Sequence, residues 1–155
     1  MLSSDFLRRL FLYSLVGASG IIVNDGLFTL LQKGVDYYAA SLVAIEASIL
    51  WNFFLNDLVT FRDRRFGKLS LRALKFHVTA VLGAIVQFVA TAFLISQVKG
   101  VNLVIAIIDP PDLPYLEASM LNLAGIILGF FLRFTLSYLW VWKTKRGGET
   151  QSSAL

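Results

Sequence analysis

The sequence predicts an all-α integral membrane protein: a four-helix bundle made of two parallel-repeat helical hairpins, with both termini cytoplasmic. Three observations predict it. Of 155 residues, 57% are hydrophobic and 15% charged, whereas soluble domains are about half apolar and about a quarter charged. Four apolar stretches are each long enough to cross a hydrocarbon core roughly 30 Å thick as helix. The basic residues segregate to one set of connections, as the positive-inside rule requires of cytoplasmic loops.

The spans are Leu10–Leu31, Ala39–Phe61, Phe76–Val98 and Leu116–Trp142. A soluble bundle would carry a polar stripe on each helix, and these segments hold isolated polar residues instead. The first span exceeds a signal-peptide core and lacks a small-residue cleavage site after it, so it reads as retained. Lys33 to Tyr38 is a tight hairpin and Arg62 to Lys75 a basic loop. The connection from Lys99 to Tyr115 contains Asp109–Pro114, and its apolar stretch Val101–Ile108 is too short to span. Residues 1–146 form one transmembrane domain, and 147–155 read as a disordered tail.

Eleven of the 14 Lys and Arg lie on the side of the termini and the loop between spans two and three; Lys33 and Lys99 lie opposite, and Arg133 lies inside a span. The net charge of +4 is therefore read as topology and anionic-lipid contact rather than nucleic-acid binding.

Spans two and four end alike. Asn52-Phe-Phe-Leu-Asn-Asp-Leu-Val-Thr-Phe-Arg62 lies over Arg133-Phe-Thr-Leu-Ser-Tyr-Leu-Trp-Val-Trp-Lys143 at a constant offset of 81, and spans one and three align more weakly at 66. Sites in repeat-built transporters tend to lie between the halves near the midplane. Asn122, Gly125, Gly129, Arg133 and Ser137 share one face of span four, and Ser48, Asn52 and Asn56 are the counterparts of Gly129, Arg133 and Ser137. The symmetric expectation is that these two faces meet or line one groove.

Arg133 lies about ten residues, hence about 15 Å, from the basic end of its helix. It keeps its proton and needs an anion. Two readings stand. In one, Arg133 receives the phosphate of a lipid headgroup, with Asn52, Asn56 and the loop residues Arg62 and Arg64 in the same role. In the other, it forms a structural ion pair with Asp57, Glu46 or Asp25. Gly17, Gly125, Gly129 and Gln87 are read as helix-packing positions. With no Cys and one interfacial His, His77, no metal site is expected and no cofactor is required. There is no phosphate-cradling glycine loop either, so enzymatic activity is not expected of this chain.

The stretch Phe11-Leu-Tyr-Ser-Leu-Val-Gly17-Ala-Ser-Gly20, with Asn52-Phe53-x-Leu55-Asn56-x-x-x-Thr60-Phe61-Arg62, resembles the GtrA-like family. These are small four-helix membrane proteins, also found as the membrane domain of some polyprenyl-phosphate mannosyltransferases. The likeness covers roughly Leu7 to Lys143. Many members carry a basic residue where Asp57 stands and Trp where Val59 stands. A phosphate-holding role of that basic residue would here fall to Arg133. The resemblance implies an inner (plasma) membrane, multi-pass protein of cell-surface polysaccharide or glycolipid synthesis. It would translocate a polyprenyl-phosphate-linked sugar. A non-transporting accessory or anchor for a membrane glycosyltransferase is the alternative, and a homodimer is expected of so small a transporter. A proton-coupled drug exporter would need a membrane carboxylate such as Asp25 or Glu46, but the strong Lys/Arg bias speaks against it.

Overall fold

A computed structural model describes residues 4–143. The described chain is all-helical. Its four long helices are each long and apolar enough to cross a membrane. Helix α1 spans Ser4–Leu31, α2 Tyr37–Leu55, α3 Leu69–Lys99, α4 Leu103–Ile108 and α5 Tyr115–Leu136. The tail at 147–155 lies outside the described residues.

Helix boundaries follow local chemistry. Asp36 caps α2, its carboxylate accepting from the Tyr38 and Ala39 amides at 2.9 and 3.2 Å. Gly100 closes α3 at φ +65°, a left-handed conformation that Gly adopts without steric cost. Asn102 caps α4 through the Ile105 amide. Pro114 precedes α5, where its missing N–H costs nothing. Helix α3 starts at Leu69, earlier than the span starting at Phe76, so Arg72 and Lys75 are helical rather than loop residues. A charge is tolerated there because Arg72 has a buried partner.

Helix α1 packs along α2, and α3 along α5, giving two hairpins; the short α4 rests on α3. Both described ends of the chain lie at the basic end of the bundle, where Arg64 reaches both Asp5 and Tyr138. The hairpins join there through one aromatic cluster of Tyr13, Phe53, Phe61, Phe76, Phe134 and Trp142. Elsewhere apolar side chains point outward: Ile22, Leu42 and Ile108 are among many large exposed residues. Hydrocarbon tails solvate such surfaces as well as a protein core does.

The duplication is visible in the backbone. Helices α2 and α5 each end in a π turn, Asn56–Thr60 and Ser137–Val141. The closing bonds run from the Phe61 amide to the Asn56 carbonyl and from the Trp142 amide to the Ser137 carbonyl, at 2.8 and 2.9 Å. These positions are again 81 apart. The wide turns present Phe61 and Trp142 to each other, ring centroids 4.5 Å apart and 7° from parallel. The equivalent residues of the two repeats thus stack where the hairpins meet.

Candidate functional site: a cationic cavity between the hairpins

Beside the aromatic cluster the hairpins border a half-open cavity of about 600 Å³. The first hairpin contributes Tyr13, Gly17, Asn52 and Asn56 to its wall. The second contributes Phe76, Gly83, Gln87, Gly129 and Arg133. The faces of α2 and α5 therefore line one groove.

Arg133 is held by close packing of α3 on α5. A Cβ on Gly83 would stand 3.1 Å from the Gly129 carbonyl oxygen and 3.3 Å from Arg133 Cβ; one on Gly129 would stand 2.5 Å from the Gly83 carbonyl oxygen. A Cβ on Gly125 would collide with Thr91 Oγ1. Gly125 and Gly129 are thus close-approach positions inside the second hairpin. Gly17 is not: a Cβ there would meet nothing within 4 Å, so it borders the cavity rather than packing a helix. Gly20 has that tight contact instead, with the Asn52 amide. Gln87 both packs against Gly129 and borders the cavity.

The guanidinium carbon of Arg133 sits 4.8 Å from the centre of the Phe76 ring. The Tyr13 hydroxyl, itself bonded to Ser137 Oγ at 3.1 Å, lies beside Arg133. Arg133 Nε and Nη2 are buried without a hydrogen-bond partner among the described residues. No described carboxylate lies within ion-pair distance of them. The three carboxylates considered from the sequence are placed elsewhere, which corrects the ion-pair reading. Asp57 accepts from Arg72 Nε at 2.8 Å, Arg72 Nη2 at 3.2 Å and Trp142 Nε1 at 2.9 Å. Glu46 meets His77 Nε2 at 2.9 Å. Asp25 is exposed on α1. A cation in hydrocarbon is expensive unless it faces a partner or a wet cavity, and Arg133 faces the cavity.

Asn52 and Asn56 are 8% and 1% exposed. Asn56 Nδ2 donates to the Asn52 carbonyl of its own helix at 2.8 Å. The Oδ1 atoms of both residues are buried without partners.

Arg62 and Arg64 do not join this site. Arg62 is exposed. Arg64 is buried at the basic end, its Nη2 donating to Asp5 at 3.1 Å and its guanidinium carbon 4.5 Å from the Tyr138 ring centre. Arg9, which sequence reading counts only as a topology signal, is 3% exposed. It donates to the Thr60 carbonyl at 2.8 Å, to Asp5 at 2.8 Å and to Asp63 through two bonds. Its hydrogen bond holds the Asp63 carboxyl below the usual carboxylate range. Apart from the local Arg9–Asp5 pair, no spacing in the sequence announces these contacts, which link residues up to 74 apart.

Fold and cavity together define a multi-pass membrane protein with a lipid-facing exterior and, beside a cavity between two repeats, a cation with no carboxylate partner among the described residues. The chain belongs to the GtrA/DPMS transmembrane domain family, which matches residues 12–146. It is also similar to a dolichol-phosphate mannosyltransferase of Pyrococcus furiosus, 37% identical over 137 residues. That alignment covers 88% of this chain and 34% of the relative, so the chain spans about a third of that protein's length. The relative is an enzyme by name, which overturns the expectation that enzymatic activity is foreign to this chain. Its likeness is to the membrane portion of one.

Proposed function

We propose that the chain carries a polyprenyl-phosphate-linked sugar in the cavity between its hairpins and moves that headgroup across the bilayer. The observation behind this reading is Arg133, which lines the cavity and whose Nε and Nη2 are buried with no hydrogen-bond partner and no carboxylate counter-ion among the described residues. A phosphate oxyanion is the group that a guanidinium fork takes best. The apolar remainder of the wall and the exposed helix faces suit a prenyl tail in lipid. The family and the name of the relative supply the class of lipid. The basic end faces the cytoplasm on this reading, as the Lys/Arg bias favours.

The test is translocation of a fluorescent polyprenyl-phosphate sugar in vesicles holding purified protein. Wild-type vesicles should equilibrate the probe between leaflets. Arg133→Leu should remain folded in membranes and lose this activity, while Arg133→Lys should keep part of it. Translocation at the wild-type rate in Arg133→Leu removes the residue from the mechanism.

The mannosyltransferase relative favours a second reading, in which the four helices serve a glycosyltransferase as membrane domain without moving lipid themselves. Vesicles with purified chain alone separate the two. Translocation without a transferase supports transport, and its absence until a transferase is added supports the accessory role.

A further inference from the structure

We propose that Asn52 and Asn56 are hydroxyl-reading positions beside the phosphate site, so that the cavity selects glycosyl phosphodiesters over phosphodiesters lacking hydroxyls. This rests on the reading of Arg133 as a lipid-phosphate site and deepens it. The buried, unpartnered atoms of the residues that line the cavity fall into two kinds. Arg133 Nε and Nη2 are donors, and the Oδ1 atoms of Asn52 and Asn56 are acceptors. A buried acceptor without a partner costs about as much as a lost hydrogen bond, so a site that keeps two of them is built for a donor. Carboxylates and phosphates cannot donate from their ionised oxygens; hydroxyls can. A ligand carrying one anionic group and adjacent hydroxyls satisfies both kinds at once.

The acceptors are held in place. Asn56 Nδ2 is committed to the Asn52 carbonyl at 2.8 Å, which leaves Oδ1 as the free polar atom of that side chain. The Asn52 amide occupies space that exists because residue 20 has no Cβ: any side chain there would run into Oδ1, Nδ2 and Cγ of Asn52. Gly20 is thus a positioning residue for Asn52. Both asparagines and Arg133 border the same cavity, and the offset of 81 pairs Asn52 with Arg133 across the two repeats. One repeat thereby supplies the acceptors and the other the cation.

Two probes of equal charge test this: farnesyl phosphoryl mannose and the methyl ester of farnesyl phosphate, both singly charged diesters, titrated against purified full chain in detergent. Wild type should bind the mannosyl diester about ten-fold more tightly, the worth of one or two hydrogen bonds to neutral groups. In Asn52→Ala and Asn56→Ala the ratio of the two affinities should fall towards one, and Gly20→Ala should lower it by displacing the Asn52 amide. Asn52→Ala carries the test should Asn56→Ala not fold, because the Asn52 side chain makes no described hydrogen bond. Equal wild-type affinity for both probes, or a ratio unchanged in the variants, overturns the hydroxyl-reading role while leaving the phosphate site standing. Wild type binding neither probe overturns the phosphate site itself, and this inference with it.

Discussion

Replacing Asp57 by Ala should unlock the hairpins at the basic end. Asp57 is 2% exposed, and the groups it holds, Arg72 and Trp142, are 7% and 0% exposed. All three of its close hydrogen bonds come from the second hairpin. Removing one member of a buried ion pair costs about 3–5 kcal/mol, chiefly because the surviving charge loses its partner. Arg72 keeps the Gly67 carbonyl at 2.7 Å and a weaker contact to the Phe66 carbonyl, which places its share at the lower end. The Trp142 N–H adds about 1 kcal/mol for a lost acceptor. The expected destabilisation is about 3 to 4 kcal/mol, a factor of a few hundred in the folding equilibrium. Reversible unfolding by SDS titration in mixed micelles reads it directly, with the buried Trp142 as a fluorescence probe. The double variant Asp57→Ala/Arg72→Met should recover about 2 kcal/mol of the loss, since no uncompensated charge remains. An Asp57→Ala protein within about 1 kcal/mol of wild type would refute the clamp.

Other outcomes follow from the same contacts. Gly125→Ala should destabilise the second hairpin by about 1–3 kcal/mol, because its new Cβ meets Thr91 and the Gln87 carbonyl, whereas Gly17→Ala should be nearly silent; thermal unfolding of the two variants compares them. The Arg9–Asp63 pair contributes stability that depends on pH. The folded-state pKa of Asp63 is lowered, so the contribution is full above the ordinary aspartate pKa and is lost as the pH falls below about 4. Asp63→Asn should flatten that part of an acid-unfolding curve, and an unchanged acid limb would show that the pair adds nothing.

Some of this architecture was legible because membrane insertion is governed by composition over about 20 residues. The four spans needed only hydropathy and length. The repeat was legible at the ends of spans two and four, where aromatic, aliphatic and basic positions coincide. The two π turns fall at that same offset. That α2 and α5 would share a groove followed from helical spacing together with the repeat.

Other features resisted sequence reading for a common reason. Arg9, Arg64 and Arg72 resemble any interfacial arginines that mark topology, yet all three are buried. Whether a charge is solvated or buried depends on what the other helices bring to it, and those residues are 51 to 74 positions away for Arg9 with Thr60 and Arg64 with Tyr138. Asp57, Glu46 and Asp25 were equally eligible counter-ions for Arg133 on spacing alone.

By itself the sequence determined that this chain lives in a bilayer, crosses it four times and repeats one hairpin, because these follow from apolar length and from periodicity along the chain. Tertiary structure alone decided that Arg133, inside a span, is left without a carboxylate among the described residues. Helix packing at Gly83 and Gly129 points Arg133 into the gap between hairpins, while Trp142 and Arg72 close around Asp57. Charge pairing is a short-range competition in three dimensions, settled by whichever donors the packed helices deliver first to each carboxylate.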